Sequence, residues 1–328
     1  MTDAVARANS NVALAKYWGK RDESLNLPYT GSISITMAGL ETTAGVSFRP
    51  ALRADRVLMN GAVPTETAAQ RVSTFLDLVR RMGGESAKAE VQIQTNFPVN
   101  AGLASSASTF AALAVAATRA AGLSLSPQQL SVLARRGSGS AARSVFGGYV
   151  EWMPGEVTDG SDSHAVQIAP PDHWPLGVVV AIVDEGSKPI GSREAMACAV
   201  KQSPFFPAWL QSHEADLEAV RRGVLERDLT VLGEAAESNC LKMHAVSMAT
   251  RPPAFFWTPA TVAVMECVRS LRREGLPAYF TIDAGPQVKV LCPLSERSVV
   301  AERIGSVAGV HRVLSSEPGG GPQVLESA

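Results

Sequence analysis

The stretch "FPVNAGLASSAS", residues 97–108, carries glycine and serine straight into an apolar helical run, "TFAALAVAATRAA". A helix N-terminus presents unpaired N–H groups and a partial positive charge, so it can hold an anion. Gly102 and the small Ala101 and Ala104 would let a phosphate approach the backbone. Ser105 and Ser106 add hydroxyls for phosphate oxygens or a magnesium ion. The pattern is not G-x-x-x-x-G-K-[ST], so that loop's chemistry does not transfer. The other reading is a tight loop whose serines cap the helix.

Three further clusters could carry chemistry. In "NSNVALAKYWGKRDESLNLP", residues 9–28, Lys16, Lys20 and Arg21 stand close together among Asn11, Tyr17 and Trp18. An extended backbone would put Asn11, Ala13 and Ala15 on one face and Lys16 on the other with Leu14. A lysine among apolar neighbours is costly unless it meets an anion; the alternative is a solvated basic turn. In "ARRGSGSAARSVFGG", residues 134–148, Gly137 and Gly139 interrupt a helix ahead of Ser138, Ser140 and Arg143. That suits a phosphate or carboxylate, or a plain helix–loop–helix corner. In "AYFTIDAGPQVKVL", residues 278–291, Tyr279, Thr281 and Asp283 share a strand face that ends at Ala284-Gly285-Pro286. An inward carboxylate must be paired, hydrogen-bonded or working as a base; alternatively Asp283 caps the turn. Together these are three sites for anions and one isolated acid, an inventory for moving a phosphoryl group to a hydroxyl.

The elements that must position these residues are mixed. Alternating strands read at 40–48 and 89–95, with Val91 and Ile93 on one face. Between them a helix carries Val72, Phe75, Leu76 and Val79 and ends at Gly83-Gly84. Another begins at Ser126-Pro127 and runs to Gly137. The proline-rich "IAPPDHWPLG", residues 168–177, is the best boundary, giving domains 1–175 and 176–328. Past it, the buried strand "VVVAIVDE" leads to helices near 191–202, 207–222, 226–248 and 259–274. Strands "AYFTID" and "VKVLCP", a helix near 295–308 and a strand "HRVLSS" follow, and the tail "EPGGGPQVLESA" reads as loose. This order predicts an α+β fold in two lobes rather than a doubly wound sheet.

Bulk properties narrow the partners. The 30 basic and 31 acidic residues of the 328-residue chain leave a net charge of −1, which argues against nucleic acid or a membrane surface. No apolar run approaches the ~20 residues of a membrane span, and the N-terminus lacks the pattern of a signal peptide. Cys198, Cys240, Cys267 and Cys292 form no C-x-x-C pair, which fits reduced thiols in the cytoplasm. The scattered histidines argue against a structural zinc site.

At this point the motifs resemble a known family. "PVNAGLASSA" resembles the second signature of the GHMP kinase superfamily. "NVALAKYWGKRD", "RRGSGSAARSVFGGYV" and "YFTIDAGP" are narrower and are similar to the diphosphomevalonate decarboxylase family, in order from about residue 8 to 293. The resemblance implies a GHMP-kinase-like fold with a ribosomal-protein-S5-like N-terminal lobe and a ferredoxin-like C-terminal lobe. It implies that ATP, with Mg2+, phosphorylates the tertiary 3-hydroxyl of (R)-5-diphosphomevalonate. Loss of phosphate and CO2 then gives isopentenyl diphosphate and ADP. A tertiary hydroxide leaves poorly, whereas phosphate leaves well.

Roles follow the matched positions. Asp283 would orient or deprotonate the 3-hydroxyl, Lys16 would keep it ionised, and Asn11 would hold the network. Arg143 would take the substrate carboxylate, within the gripping loop of Ser138, Gly139, Ser140, Ala141 and Ala142. Tyr17, Trp18, Gly19, Lys20 and Arg71 would serve the substrate and its diphosphate. Gly102, Leu103, Ala104, Ser105 and Ser106 match the ATP phosphate loop, with Ser106 the candidate to touch Mg2+. "GSKPIGSREAM", residues 186–196, resembles a loop over the site and places Lys188 near the nucleotide and Ser192 and Arg193 near the substrate. Family analogy implies a homodimer. Tyr29, Thr30 and Gly31 depart from the Asn and serines usual after "LNLP", and Thr109 stands where a glycine is usual. These departures keep open a decarboxylase of the 5-monophosphate. A mevalonate 3-kinase and a catalytically dead nucleotide binder are the remaining alternatives.

Overall fold

The computed structural model describes residues 3–98, 102–186 and 190–325. Its strands are β1 (Ala4–Ala15), β2 (Lys20–Asp22), β3 (Leu27–Pro28), β4 (Ser32–Arg49), β5 (Arg56–Met59), β6 (Lys88–Thr95), β7 (Tyr149–Trp152), β8 (Ala165–Ala169), β9 (Leu176–Ile182), β10 (Tyr279–Ile282), β11 (Val288–Pro293), β12 (Arg312–Ser316) and β13 (Gln323–Leu325). Its helices are α1 (Glu66–Gly83), α2 (Ser105–Ala120), α3 (Pro127–Gly137), α4 (Ser192–Gln202), α5 (Phe206–Glu226), α6 (Leu229–Met248), α7 (Pro259–Arg273) and α8 (Arg297–Gly305). A 3-10 turn spans Gly139–Val145. The fold is α+β in two lobes, each built on a sheet of its own.

Among the described residues the first sheet has seven strands, ordered β13-β1-β4-β6-β5 with β7 and β8 branching from β4. Its long strand β4 serves two cores. Ala44, Val46 and Phe48 face α1 and α2, while Ile33, Ile35 and Met37 face the second lobe. The β1–β4 register is irregular between Asn9/Glu41 and Asn11/Thr36. Gly39, within that stretch of β4, has a left-handed backbone at φ +77°. Helix α2 is buried on almost every side, and its many alanines let it lie close to β1 and β4. Ser126 caps α3 in a capping box with Gln129, as the Ser-Pro start predicts.

The second sheet, order β10-β11-β9-β12, is antiparallel throughout. Val179, Ala181, Val288 and Val290 turn toward α7 and α8, and Val178, Val180 and Leu291 turn toward the first lobe. Helix α6 packs on β10 and touches the end of β1, so the two lobes meet where β1 ends.

Two expectations need correction. Lys16 does not point away from Asn11 and Ala13. The β1 register shifts between Ala13 and Ala15, which returns Lys16 to the cavity side with both residues. Nor is the tail loose. Gly319 donates to Thr36 O at 2.7 Å and accepts from Gly148 N at 2.8 Å, and β13 pairs with β1. Gly319 is needed there, because a Cβ on it would lie 2.7 Å from the Ala38 nitrogen.

Candidate active site

A cavity of about 300 Å3 opens between the lobes at the end of β1. Its lining brings together Asn11, Lys16, Tyr17, Trp18, Lys20, Arg71, Gly102, Leu103, Ala104, Ser105, Ser106, Ser138, Gly139, Ser140, Arg143, Ser192, Arg193 and Asp283. Four stretches far apart in sequence therefore converge on one space. Gly19, Ala141 and Ala142 are not on its wall. Gly19 sits at φ +98° against the Phe206 ring, and Ala141 and Ala142 are fully buried behind the loop. Lys188 lies outside the described residues, as does Ala101.

Asp283 follows β10 at the break in the strand. Lys16 Nζ lies 2.8 Å from its Oδ1 and also donates to Ala13 O at 2.8 Å. Lys289 Nζ lies 3.0 Å from Oδ2, off the line of a well-formed hydrogen bond, and donates to Gly102 O at 2.6 Å. Burial alone would raise the Asp283 pKa, but the two ammonium groups outweigh it and hold the carboxyl well below the usual carboxylate range. Oδ2 keeps a lone pair for an incoming hydroxyl.

Arg143 is fixed on both sides. It donates through one amino nitrogen to Ser32 Oγ and through the other to Asn11 Oδ1 at 3.2 Å. Asn11 in turn donates to Ser144 Oγ at 2.7 Å and Ser140 O at 3.2 Å. The Arg143 Nε has no partner among the described residues, and burial lowers the pKa to about 10, which leaves a charged guanidinium at neutral pH. Gly139 is required by Tyr17, whose ring carbon would stand 2.7 Å from a Cβ there. Tyr17 leans edge-on against Trp152, and its buried hydroxyl has no partner among the described residues. Burial pushes the phenol upward and keeps it a donor.

The remaining cations line the far end. Burial, helped by Arg193, lowers Lys20 to about 8, and Asn26 Oδ1 holds its ammonium at 2.7 Å. Arg71 donates to Gly137 O at 3.2 Å, lies over the Phe110 ring and keeps an orphan Nε. Among the described lining residues, Lys16, Lys20, Arg71, Arg143 and Arg193 face the single carboxylate of Asp283. Lys16 and Arg143 are buried, Lys20 and Arg71 partly so and Arg193 exposed, and this local excess of cation suits an anionic occupant.

The α2 N-terminus completes the wall. Ala104, at φ 52°, is its N-cap and offers no side-chain cap. Ser105 and Ser106 do not cap the helix, so their hydroxyls stay available to a ligand. No group of three or more His, Cys, Asp or Glu among the described residues could hold a metal by itself. A hard cation suits the serine hydroxyls and phosphate oxygens instead.

Three contributors escaped the sequence reading. Lys289 carries a signal that could have found it, a lone lysine inside the apolar strand "QVKVLCP". Asn26 sits within the quoted "LNLP" at φ 54° and donates to Arg135 O and Arg136 O at 2.9 and 3.0 Å. Ser32 has no signal beyond its neighbours. The departures Tyr29, Thr30, Gly31 and Thr109 do not line the cavity. Tyr29 packs against Phe206, and Gly31 O accepts from His213 at 2.8 Å.

Two family models match the chain. The "diphosphomevalonate decarboxylase-like N-terminal domain" covers residues 8–165 and the "mevalonate 5-diphosphate decarboxylase C-terminal domain" covers 178–311. The chain belongs to the diphosphomevalonate decarboxylase family. Within that family of carboxy-lyases, in the GHMP kinase superfamily, the diphosphomevalonate decarboxylase of Candida albicans is 32% identical over 98% of each chain. The mevalonate diphosphate decarboxylase structure from Staphylococcus aureus is 35% identical with a TM-score of 0.93, covering 99% of this chain and 98% of its own. A solved complex of the enzyme denoted MDDEF with MVAPP, AMPPCP and magnesium is 38% identical with a TM-score of 0.93, over 99% of both chains. No helix among the described residues is long and apolar enough to cross a membrane.

Proposed function

We infer that this chain uses ATP to convert (R)-5-diphosphomevalonate into isopentenyl diphosphate, ADP, phosphate and CO2. The observation that carries this reading is Asp283, anchored by two lysines in a cavity whose other charged walls are cationic. We assign the nucleotide phosphates to Gly102–Ser106, where the first-turn amides of α2 and the serine hydroxyls are available. Ser106, with Ser105, would hold a magnesium ion carried by those phosphates. When bound, the ion neutralises charge on the transferring phosphoryl group.

Asp283 Oδ2 accepts the hydrogen bond of the substrate's tertiary hydroxyl and aligns its oxygen for attack. A carboxylate held this acidic is a weak base, so the proton moves late, as the oxygen–phosphorus bond forms. Arg143, held by Ser32 and Asn11, takes the substrate carboxylate at the opposite end. Departure of the new phosphate then draws the electron pair from the breaking carbon–carbon bond into the alkene, releasing CO2. Tyr17, Lys20, Arg71, Ser192 and Arg193 receive the 5-diphosphate, with Trp18, Ser138, Gly139 and Ser140 closing around the chain. We assign residues 1–175, joined by the returning β13, to the nucleotide- and substrate-binding domain, and the rest of 176–328 to the domain that supplies Asp283 and Lys289.

We further propose a homodimer in the cytoplasm. Cys198, Cys240, Cys267 and Cys292 are free thiols, which supports the compartment, and the family resemblance supports the dimer. The test of function is ADP release with mevalonate, its 5-phosphate and its 5-diphosphate, with CO2 trapped. Stoichiometric ADP and CO2 from the 5-diphosphate are expected. ADP without CO2 would select a 3-kinase, and preference for the 5-phosphate would select the sister decarboxylase.

A further inference from the structure

Lys289 differs from every other cation of the site in what it joins. It is 1% exposed, the second residue of β11, and directly opposite Thr281 of β10. Its neighbours Val288 and Val290 face the core under α7, so the alternation of the strand sends Lys289 to the face that meets the first lobe. There Thr281 Oγ1 donates to Ala13 O at 3.3 Å, while Lys289 Nζ donates to Gly102 O at 2.6 Å. The same ammonium lies 3.0 Å from Asp283 Oδ2. One buried charge thus spans the loop assigned to the ATP phosphates and the acid assigned to the substrate hydroxyl.

The approach is reinforced by packing. Gly102 stands at φ +78°, and a Cβ there would lie 2.9 Å from the Gly285 Cα, two residues past Asp283. Loop and acid therefore cannot shift independently. Lys16 does not serve this purpose, since its second bond goes to Ala13 O on β1, away from the loop. An ammonium with this little exposure would be costly as mere filling.

We propose that Lys289 is a positioning residue that couples the nucleotide phosphate loop to Asp283. The proposal rests on the decarboxylase reading given above. Its electrostatic setting supports it: Lys16, Arg143, His244 and Cys240 also face this carboxylate, yet only Lys16 and Lys289 among the described residues pair with it.

The experiment is a double-mutant cycle of Lys289→Met with Asp283→Asn, reading turnover and, separately, binding of AMPPCP by calorimetry. Lys289→Met should lower kcat about tenfold or more beside Asp283, but less than about twofold in the Asp283→Asn background. Its AMPPCP Kd should rise about fivefold in both backgrounds, because the Gly102 tether is lost in each. Lys289→Arg should restore most of both. Equal loss of kcat in the two backgrounds would mean a merely structural lysine, and an unchanged Kd would break the link to the loop. Should Lys289→Met not fold, Lys289→Gln keeps a donor for Gly102 O without the charge. It should then spare AMPPCP binding while losing kcat, and loss of binding alone would overturn the proposal. Nucleotide binding is read without substrate, so a wrong substrate assignment would leave this arm intact.

Discussion

Lys16 Nζ stands 2.8 Å from Asp283 Oδ1 and shares its remaining donors with Ala13 O, so the acid of one lobe is fixed to the last turn of a strand in the other. Asp283 is well placed to meet a hydroxyl only while the lobes stay together. Asp283→Asn keeps the shape and removes the charge. Turnover should fall about 10²–10⁴-fold, while AMPPCP affinity changes little. Steady-state ADP release with calorimetric nucleotide binding checks this, and a loss smaller than tenfold would remove Asp283 from the mechanism.

Arg143 depends on acceptors that the chain supplies from β1 and β4. Ser32→Ala deletes one of them and leaves Asn11 to orient the guanidinium alone. The expected result is a rise in KM for the 5-diphosphate of about 3–10-fold, the range of one lost hydrogen bond. Arg143→Gln should abolish CO2 release while ATP still binds. If Arg143→Gln instead removed nucleotide affinity, the guanidinium would belong to the ATP site.

Tyr17 buries its hydroxyl with no partner among the described residues, so Tyr17→Phe should leave the thermal midpoint unchanged or slightly higher. The same change should weaken binding of the diphosphate substrate about 10–100-fold, the value of a hydrogen bond to a charged group. A melting curve and a substrate titration on one preparation test both halves. A destabilised variant with unaltered KM would place the hydroxyl in the fold rather than the site.

Lys20 titrates at about 8 in the folded chain, below its value of 10.5 in an open one. Between those limits the unfolded chain binds more protons, so this group alone makes stability rise with pH from about 8 to 10.5. Anion binding runs the other way, since the lysine loses its charge as pH climbs through 8. The kcat/KM for the 5-diphosphate should fall above that pH, and Lys20→Arg should carry the limb to higher pH. An alkaline limb that Lys20→Arg leaves in place would assign it to another group.

The sequence made the convergence legible where residue type alone restricts the options. Ser126-Pro127 announced α3 because a serine cap and a proline act within one turn, and Val72, Phe75, Leu76 and Val79 revealed the buried stripe of α1. The cavity motifs were likewise visible, since glycine beside serine and arginine has few purely structural uses. Lys16 was misdirected, because a shift in strand register cannot be seen in an alternating pattern. Lys289 and Ser32 were missed for a related reason. Their significance lies in partners more than a hundred residues away, at Gly102 and Arg143. The tail failed because three glycines read as slack when viewed alone. Gly319 lies too close to Ala38 for a side chain of its own, and the tail lies too close to Gly147 for one there.

That tail sets an order of events at the ribosome. Val5 and Arg7 of β1 find their outer neighbours in Leu325 and Gln323, synthesised more than three hundred residues later. Until then β1 presents a bare row of amides and carbonyls to any passing strand. The amino-terminal lobe can collapse early, as nascent domains do. Its sheet is sealed only when Gln323–Leu325 emerges, which leaves the β1 edge open to mispairing throughout the synthesis of the second lobe.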